Sequence, residues 1–480
     1  MAPDHRPGFA RARLYIAHHV ELLGSGLLTL LLATASAHAD EWPSFRGPQG
    51  TGVSNDASIP LTWNAKENVA WRVPLPDRGN ATPAVWGDRV FVTQAIDSEK
   101  RRTLMCFRRS DGELLWQSGV VYDKADPTNA QNPHGSASPA TDGKHVIASF
   151  GSAGLFAFDF DGNELWRRDF GDVDSWHGSG SSPIIHGGLC FLNFGPGTKS
   201  ALVACRVDTG EVVWKASPQA AGRGFGQLLG SFASRLGGGG PADAGRNPDG
   251  SFAFERAANT ADTSGAGGFN GSWSTPVVVQ AGDREELVVV HGGHVTGYEP
   301  ATGRELWTCS GLPPQVFTSP AVGDGILVAT GHAIPSGTQL LAVRLGGSGD
   351  VTGTHRLWQA NLPKDCIGSG VIAADSLFLM AENGIAICLD LDTGEKRWEK
   401  RLRGQGRSGG AWSSLVLVGD KILVTNHSSE TFVIRASPEF ELLHTNPTEE
   451  ETTCASLAIS DGQLFLRTYE SLWCIGQGEE

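Results

Sequence analysis

Cys388-Leu389-Asp390-Leu391-Asp392-Thr393-Gly394-Glu395-Lys396-Arg397-Trp398 reads as a β-strand, a tight turn and a second strand ending on an indole. The glycine supplies a turn conformation that other side chains resist, and the aliphatic residues before it favour a strand. The phrase recurs. Asp111-Gly112-Glu113 is followed by Trp116, Asp161-Gly162 by Trp166, Thr209-Gly210-Glu211 by Trp214, and Thr302-Gly303 by Trp307, while Trp358 takes the same slot after a longer loop. A unit that returns in register marks a repeat architecture. It assigns Trp71, Trp116, Trp166, Trp214, Trp307, Trp358 and Trp398 to packing and not to a cofactor box.

Outward from this phrase lie two more strands per unit. A second short turn precedes a β-rich run eight times, at Gly87-Asp88, Asp142-Gly143, Gly187-Gly188, Gly282-Asp283, Asp324-Gly325, Ala374-Asp375, Gly419-Asp420 and Asp461-Gly462. Before each turn sits a strand of small residues, clearest as Thr82-Pro83-Ala84-Val85, Ser138-Pro139-Ala140, Ser182-Pro183-Ile184-Ile185, Thr275-Pro276-Val277-Val278 and Ser319-Pro320-Ala321-Val322. Proline is tolerated there because the head of a strand owes no ladder hydrogen bond. The unit is therefore a four-stranded antiparallel sheet. One such sheet leaves a face unburied, and a ring of them removes the problem.

The expected fold is all-β, an eight-bladed β-propeller. Its closure is legible at the ends: the last unit stops at Ser471-Leu472-Trp473-Cys474-Ile475 without a fourth strand, while Asn68-Val69-Ala70-Trp71-Arg72-Val73 has no unit of its own. That N-terminal strand is expected to complete the final sheet. Residues 40–67 form an arm, and 68–480 the propeller, interrupted by a Gly/Ala-rich insertion at 216–270. Within the insertion Phe225–Leu236 alone has the apolar spacing of a short helix, and the segment reads as a surface loop or a lid over one mouth.

Composition agrees. Among 480 residues, 63 glycines and 14 tryptophans against 4 tyrosines require many turns and a recurrent site for indole. A formal charge of −14, with no dense basic run beyond the first fourteen residues, argues against nucleic acid as a partner. Residues 1–39 carry Arg6, Arg11 and Arg13, then the apolar stretch Leu22–Ala35, then Ala37-His38-Ala39. This is the pattern of a signal peptide cut after Ala39, with a periplasmic or secreted product and no membrane span left in it.

The phrase around Thr393-Gly394 resembles the repeat of the PQQ-like (pyrroloquinoline-quinone-like) propeller superfamily, and the resemblance runs from Asn68 to Ile475. The superfamily includes quinoprotein alcohol dehydrogenases, BamB-type scaffolds of outer-membrane protein assembly, and exported propellers whose opening Trp42-Pro43-Ser44-Phe45-Arg46-Gly47-Pro48 is similar to. The dehydrogenases of that superfamily use PQQ stacked on a disulfide between adjacent cysteines, with calcium beside it. This sequence contains no Cys-Cys pair. The resemblance therefore implies first a non-catalytic binding or assembly scaffold for an envelope protein, peptide or glycan. Its alternative is a quinone (PQQ)-dependent oxidoreductase acting on an alcohol or sugar, with PQQ and calcium as cofactors.

The eight cysteines fit packing better than a disulfide framework, since Cys106, Cys388 and Cys474 share the small-residue slot of the third strand. Cys190 and Cys205 face one another across two strands of one unit, where a bond and a free pair are both open readings. No metal-binding spacing such as C-x-x-C occurs. The loops entering the innermost strands converge on the axis and carry the candidate ligand-binding residues Arg78, Asn80, His134, Trp176, His177, Trp273, Phe317 and Trp412. The indoles suit stacking on a flat ligand or a sugar, or plugging of the channel, and the histidines suit hydrogen bonding or proton transfer. A hydrolase built on His134 and His177 lacks a nucleophile motif.

Overall fold

The computed structural model describes residues 41–175, 177–217, 272–333 and 337–477. The expected signal segment, Trp176, Asn270 and nearly all of the 216–270 insertion lie outside them. The described chain forms eight sheets. Blade 1 is built from Ala84–Trp86, Arg89–Ile96, Arg101–Arg108 and Leu114–Val121, and blades 2 to 7 repeat the pattern up to Leu442–Asn446. In blade 8, Ala458–Ser460, Gln463–Arg467 and Ser471–Ile475 are joined by Val69–Pro74, which pairs antiparallel with Ser471–Ile475 and sets Trp71 opposite Cys474. Among the described residues the helical elements are two short 3-10 turns, Asp97–Glu99 and Gly151–Ala153.

Two blades carry more than four strands. Val53–Ser54 of the arm adds in parallel to the innermost strand of blade 7, and Gly349–Asp350 adds in parallel to the outermost strand of blade 4. The second addition comes from the long loop before Trp358, where the other units have a tight Gly turn.

That substitution exposes what the repeat motif is for. The indole of one blade lies on the Gly turn of the next and donates Nε1–H to a carbonyl beside it. Trp71 reaches Arg109 O at 2.6 Å, Trp116 reaches Phe160 O at 2.8 Å, Trp166 reaches Val207 O at 2.7 Å, Trp214 reaches Pro300 O at 2.9 Å and Trp358 reaches Leu391 O at 2.7 Å. Gly210 is required twice over: its φ is +68°, and an added Cβ would lie 2.5 Å from the Trp166 ring. Blade 5, with its long loop, offers blade 4 no such turn. Trp307 accordingly stays within its own blade, over Gly297, and donates to the buried Glu286 carboxylate at 2.8 Å.

Between neighbouring blades the inner strands bury continuous apolar clusters, as where Phe91, Leu104 and Cys106 of blade 1 meet Val146, Phe156 and Phe158 of blade 2. Cys106, Cys388 and Cys474 sit in the predicted slot, each directly opposite a repeat tryptophan, Trp116, Trp398 and Trp71. Cys190 and Cys205 are register partners, and all eight thiols are free.

The arm is a structured part of the propeller. Trp42 is buried and bridges Val85 of blade 1, Thr141 N–H of blade 2 donates to Pro43 O, Leu417 N–H of blade 7 donates to Gly52 O, and Gly462 N–H of blade 8 meets the Asp56 carboxylate. Arg46 is buried with it. Its guanidinium donates to Thr51 O at 2.5 Å, Gly370 O at 2.6 Å and Ser369 O at 3.3 Å, and burial brings its pKa down to about 9.

Candidate functional site

The head of every inner strand carries a serine or threonine, and together they close a circle. Thr82 N–H donates to Ser138 Oγ at 2.9 Å, Ser138 to Ser182 at 2.9 Å, Ser182 to Thr275 at 3.0 Å and Thr275 to Ser319 at 3.0 Å. Ser319 continues to Ser369 at 2.9 Å, Ser369 to Ser414 at 3.1 Å, Ser414 to Ser456 at 2.9 Å, and Ser456 returns to Thr82 at 3.3 Å. All eight residues are buried. Each hydroxyl satisfies an inner-strand amide that the sheet ladder leaves over. The ring is thus a polar counterpart to the apolar seams between blades.

Above the ring lies an axial cavity of about 230 Å³. Seven of the eight ring residues line it, Thr82 excepted. Its remaining wall comes from the loops that enter the inner strands and, from the arm, Phe45. Trp273 and Phe317 form one side, with ring centroids 5.0 Å apart and planes inclined by 31°. Trp273 Nε1–H donates to Gly178 O at 2.8 Å, which fixes the indole, and His177 meets its edge at 5.6 Å. Trp412 lies on another side against the buried His427. Between them stands an amide cluster in which Asn80 Nδ2 donates to Gln131 O at 2.8 Å and Asn132 Nδ2 to His177 O at 2.7 Å.

The lining has one chemical property that decides its uses. Among the described residues it contains no Asp, Glu, Lys or Arg. His177 adds no charge at neutral pH, because burial pulls its pKa down to about 4. Cys454, on the wall, has its thiol pushed up to about 12 by burial although His427 Nδ1 lies 3.5 Å from Sγ. A protonated thiol is a poor nucleophile.

Of the residues singled out from sequence, Asn80, His177, Trp273, Phe317 and Trp412 line this cavity. Arg78 does not. It is exposed, and its backbone N–H is held by Asp77 Oδ1 at 2.9 Å. His134 lies in a separate pocket with Asp97, Arg102 and Asp126, its Nε2 3.0 Å from Asp126 O and 3.4 Å from Asp126 Oδ2. The two histidines therefore do not share a site, which removes the geometry that a hydrolase on His134 and His177 needs. Trp176 falls outside the described residues. Other mouth-loop residues are structural: Glu451 is buried and accepts from Trp473 Nε1 and Ser471 Oγ, each at 3.0 Å. Sequence reading missed Phe45, Gln131 and the hydroxyl ring. The ring had a signal, since Ser or Thr stands at the same place in every unit.

The cofactors of the alternative reading do not fit this lining. PQQ is a tricarboxylate and needs cationic partners, and calcium needs anionic oxygen ligands. The cavity offers neither, and no group of three or more potential metal ligands occurs among the described residues.

The chain belongs to the family described as outer membrane protein assembly factor BamB, whose sequence profile matches residues 57–235 and 255–477. Among solved structures it is similar to BamB from Moraxella catarrhalis, at 15% identity and a TM-score of 0.50, over 84% of this chain and 98% of that one. It is similar also to the computationally designed Ika8 protein, at 11% identity and a TM-score of 0.52, over 84% of this chain and 98% of that one. Quinohemoprotein alcohol dehydrogenase from Comamonas testosteroni aligns at 12% identity and a TM-score of 0.43, over 92% of this chain and 81% of that one. At such identities the likeness concerns the fold. No curated protein sequence matches the chain. No helix among the described residues is long and apolar enough to cross a membrane.

Proposed function

We propose that the chain is an exported, non-catalytic binding scaffold of the periplasm, a ring that presents one mouth to another component of the cell envelope, whether protein, peptide or glycan. Family membership supports this reading, as does the basic-then-apolar segment ahead of Ala39. The observation that carries it is the uncharged axial cavity. A wall of indoles, amides and hydroxyls with no Asp, Glu, Lys or Arg among the described residues suits recognition, and its titratable groups, His177 and Cys454, are both held in their neutral forms by burial.

The experiment is site-directed crosslinking of the full chain in its own envelope. A photoreactive residue replacing Gln131 or Arg407, in the mouth loops, should give a discrete adduct, and one replacing Leu165, exposed on the outer strand of blade 2, should not. Adducts absent from both mouth positions, or equal at Leu165, would overturn the scaffold reading. Reduction of an electron-accepting dye by the protein with PQQ, calcium and an alcohol would favour the oxidoreductase in its place.

A further inference from the structure

We infer that the axial cavity takes a single neutral saccharide ring, bound with an apolar face against the indoles and its hydroxyls against the ring of serines and threonines. The inference rests on the scaffold reading and names a ligand class for its mouth. Three features of the cavity combine to specify that class.

The first is charge. With no Asp, Glu, Lys or Arg among the described residues of the lining, little repays the desolvation of an anion or a cation, so the favoured ligand is neutral. The second is the distribution of donors. Each ring hydroxyl accepts an amide hydrogen, and none of the seven on the cavity wall gives its own proton to an acceptor among the described residues. The Gln131 side chain, on the same cavity wall, makes no hydrogen bond within the described residues, and Asn80 Oδ1 is buried without a partner there. These unspent groups encircle the axis. A nucleobase or an aromatic acid presents polar atoms along an edge, whereas a pyranose carries hydroxyls around its whole circumference, each able to donate and accept.

The third feature is the aromatic wall. Trp273 and Phe317 offer adjoining faces, with Trp412 and Phe45 on other sides of the same space. The C–H face of a sugar ring packs on such surfaces while its rim stays polar. Volume sets the limit: about 230 Å³ is below the ~300 Å³ at which pockets for larger ligands begin, so one ring enters and a polymer does not.

The test is titration of the purified full chain with glucose, N-acetylglucosamine and xylose, followed by tryptophan fluorescence and calorimetry, with glucuronate and glucosamine as charged counterparts. At least one neutral sugar should bind saturably, and its charged counterpart about tenfold more weakly, given the cost of bringing a charge into this lining. Trp412→Ala should weaken that binding about tenfold or more, the scale of one lost aromatic face. If Trp412→Ala does not fold, Gln131→Ala supplies the second variant, with a loss of about fivefold expected for one hydrogen bond. No saturable binding by any of the three neutral sugars overturns the inference, as does equal binding of the charged sugars or binding unchanged in both variants. Envelope crosslinks at the mouth together with no sugar binding would overturn the saccharide alone and leave the scaffold standing. Absence of both would remove the two together.

Discussion

Trp166 on the rim and Trp412 at the mouth are the same side chain put to opposite uses. Trp166 is pinned at both ends, its ring over Gly210 of the next blade and its Nε1 on Val207 O. Nothing remains for it to recognise. Trp412 is half-buried, stands on an irregular loop, and turns part of its surface to the axial cavity. The rim uses indole to measure the distance between blades, and the axis uses it as a wall. What separates the two is the partner: a glycine turn supplied by the repeat in one case, and loops from different blades in the other. Trp273 stands between them, with its Nε1 tied to Gly178 O while its ring still faces the cavity.

This contrast is broken most directly at the rim. Trp166→Ala should cost about 3–5 kcal/mol, the scale of a deleted core aromatic, read as a lowered denaturant midpoint at unchanged slope. A cost below ~1 kcal/mol would mean that the latches are ornamental to closure. Gly210→Ala attacks the same latch from the other side. Left-handed strain and the clash with Trp166 should together cost about 2–3 kcal/mol, and the double variant with Trp166→Ala should cost less than the sum, because the clash is gone.

The axis has its own test in Ser414→Ala. Removal of one hydroxyl leaves the buried Ser369 N–H without its 3.1 Å acceptor, at about 1–3 kcal/mol, and Ser414→Thr should restore most of it. Stability equal to wild type in both would show that the circle of hydrogen bonds contributes nothing beyond the apolar seams. A pH series sharpens the comparison further. His177 at the mouth is drawn down to about 4 by burial, and His291 in blade 4 to about 3 by burial and then by His294. Both lie below the ~6.5 of an unfolded histidine, so the unfolded chain takes up protons first. Stability should be full above pH ~6.5 and decline as the pH falls toward 4, with part of the slope between about 6.5 and 5 lost in His291→Gln. A flat profile in that window would contradict neutral burial. The smallest effect is expected from Trp412→Ala, within ~1 kcal/mol of wild type, since a half-buried wall residue gives up little packing. A loss as large as that of Trp166→Ala would make it a plug.

Most of the architecture could be read from residue order. The turn at Thr393-Gly394 and the indole at Trp398 lie within one hairpin, so their relation is local and repeats with the unit. The unpaired strand around Trp71 was legible by the same logic, because a repeat that ends one strand short must find the missing strand elsewhere. The fifth strands were not legible: Val53–Ser54 and Gly349–Asp350 are two-residue additions with no periodicity of their own. Arg78 and His134 show where reading by position stops. Both stand in loops of the correct type, yet Arg78 points to solvent and His134 is held by Asp126 in another pocket.

The sequence alone determined the number of sheets, the four strands of the repeating unit and the packing role of the rim tryptophans, because those depend on contacts within one unit and between like neighbours. Only the tertiary structure decided that eight scattered hydroxyls form one circle, that the arm lies among the inner strands with Phe45 in the cavity wall, and that the axial cavity is uncharged. Each of these joins residues from blades far apart in the chain, and the arrangement around an axis is set by closure of the whole ring, which no single repeat encodes.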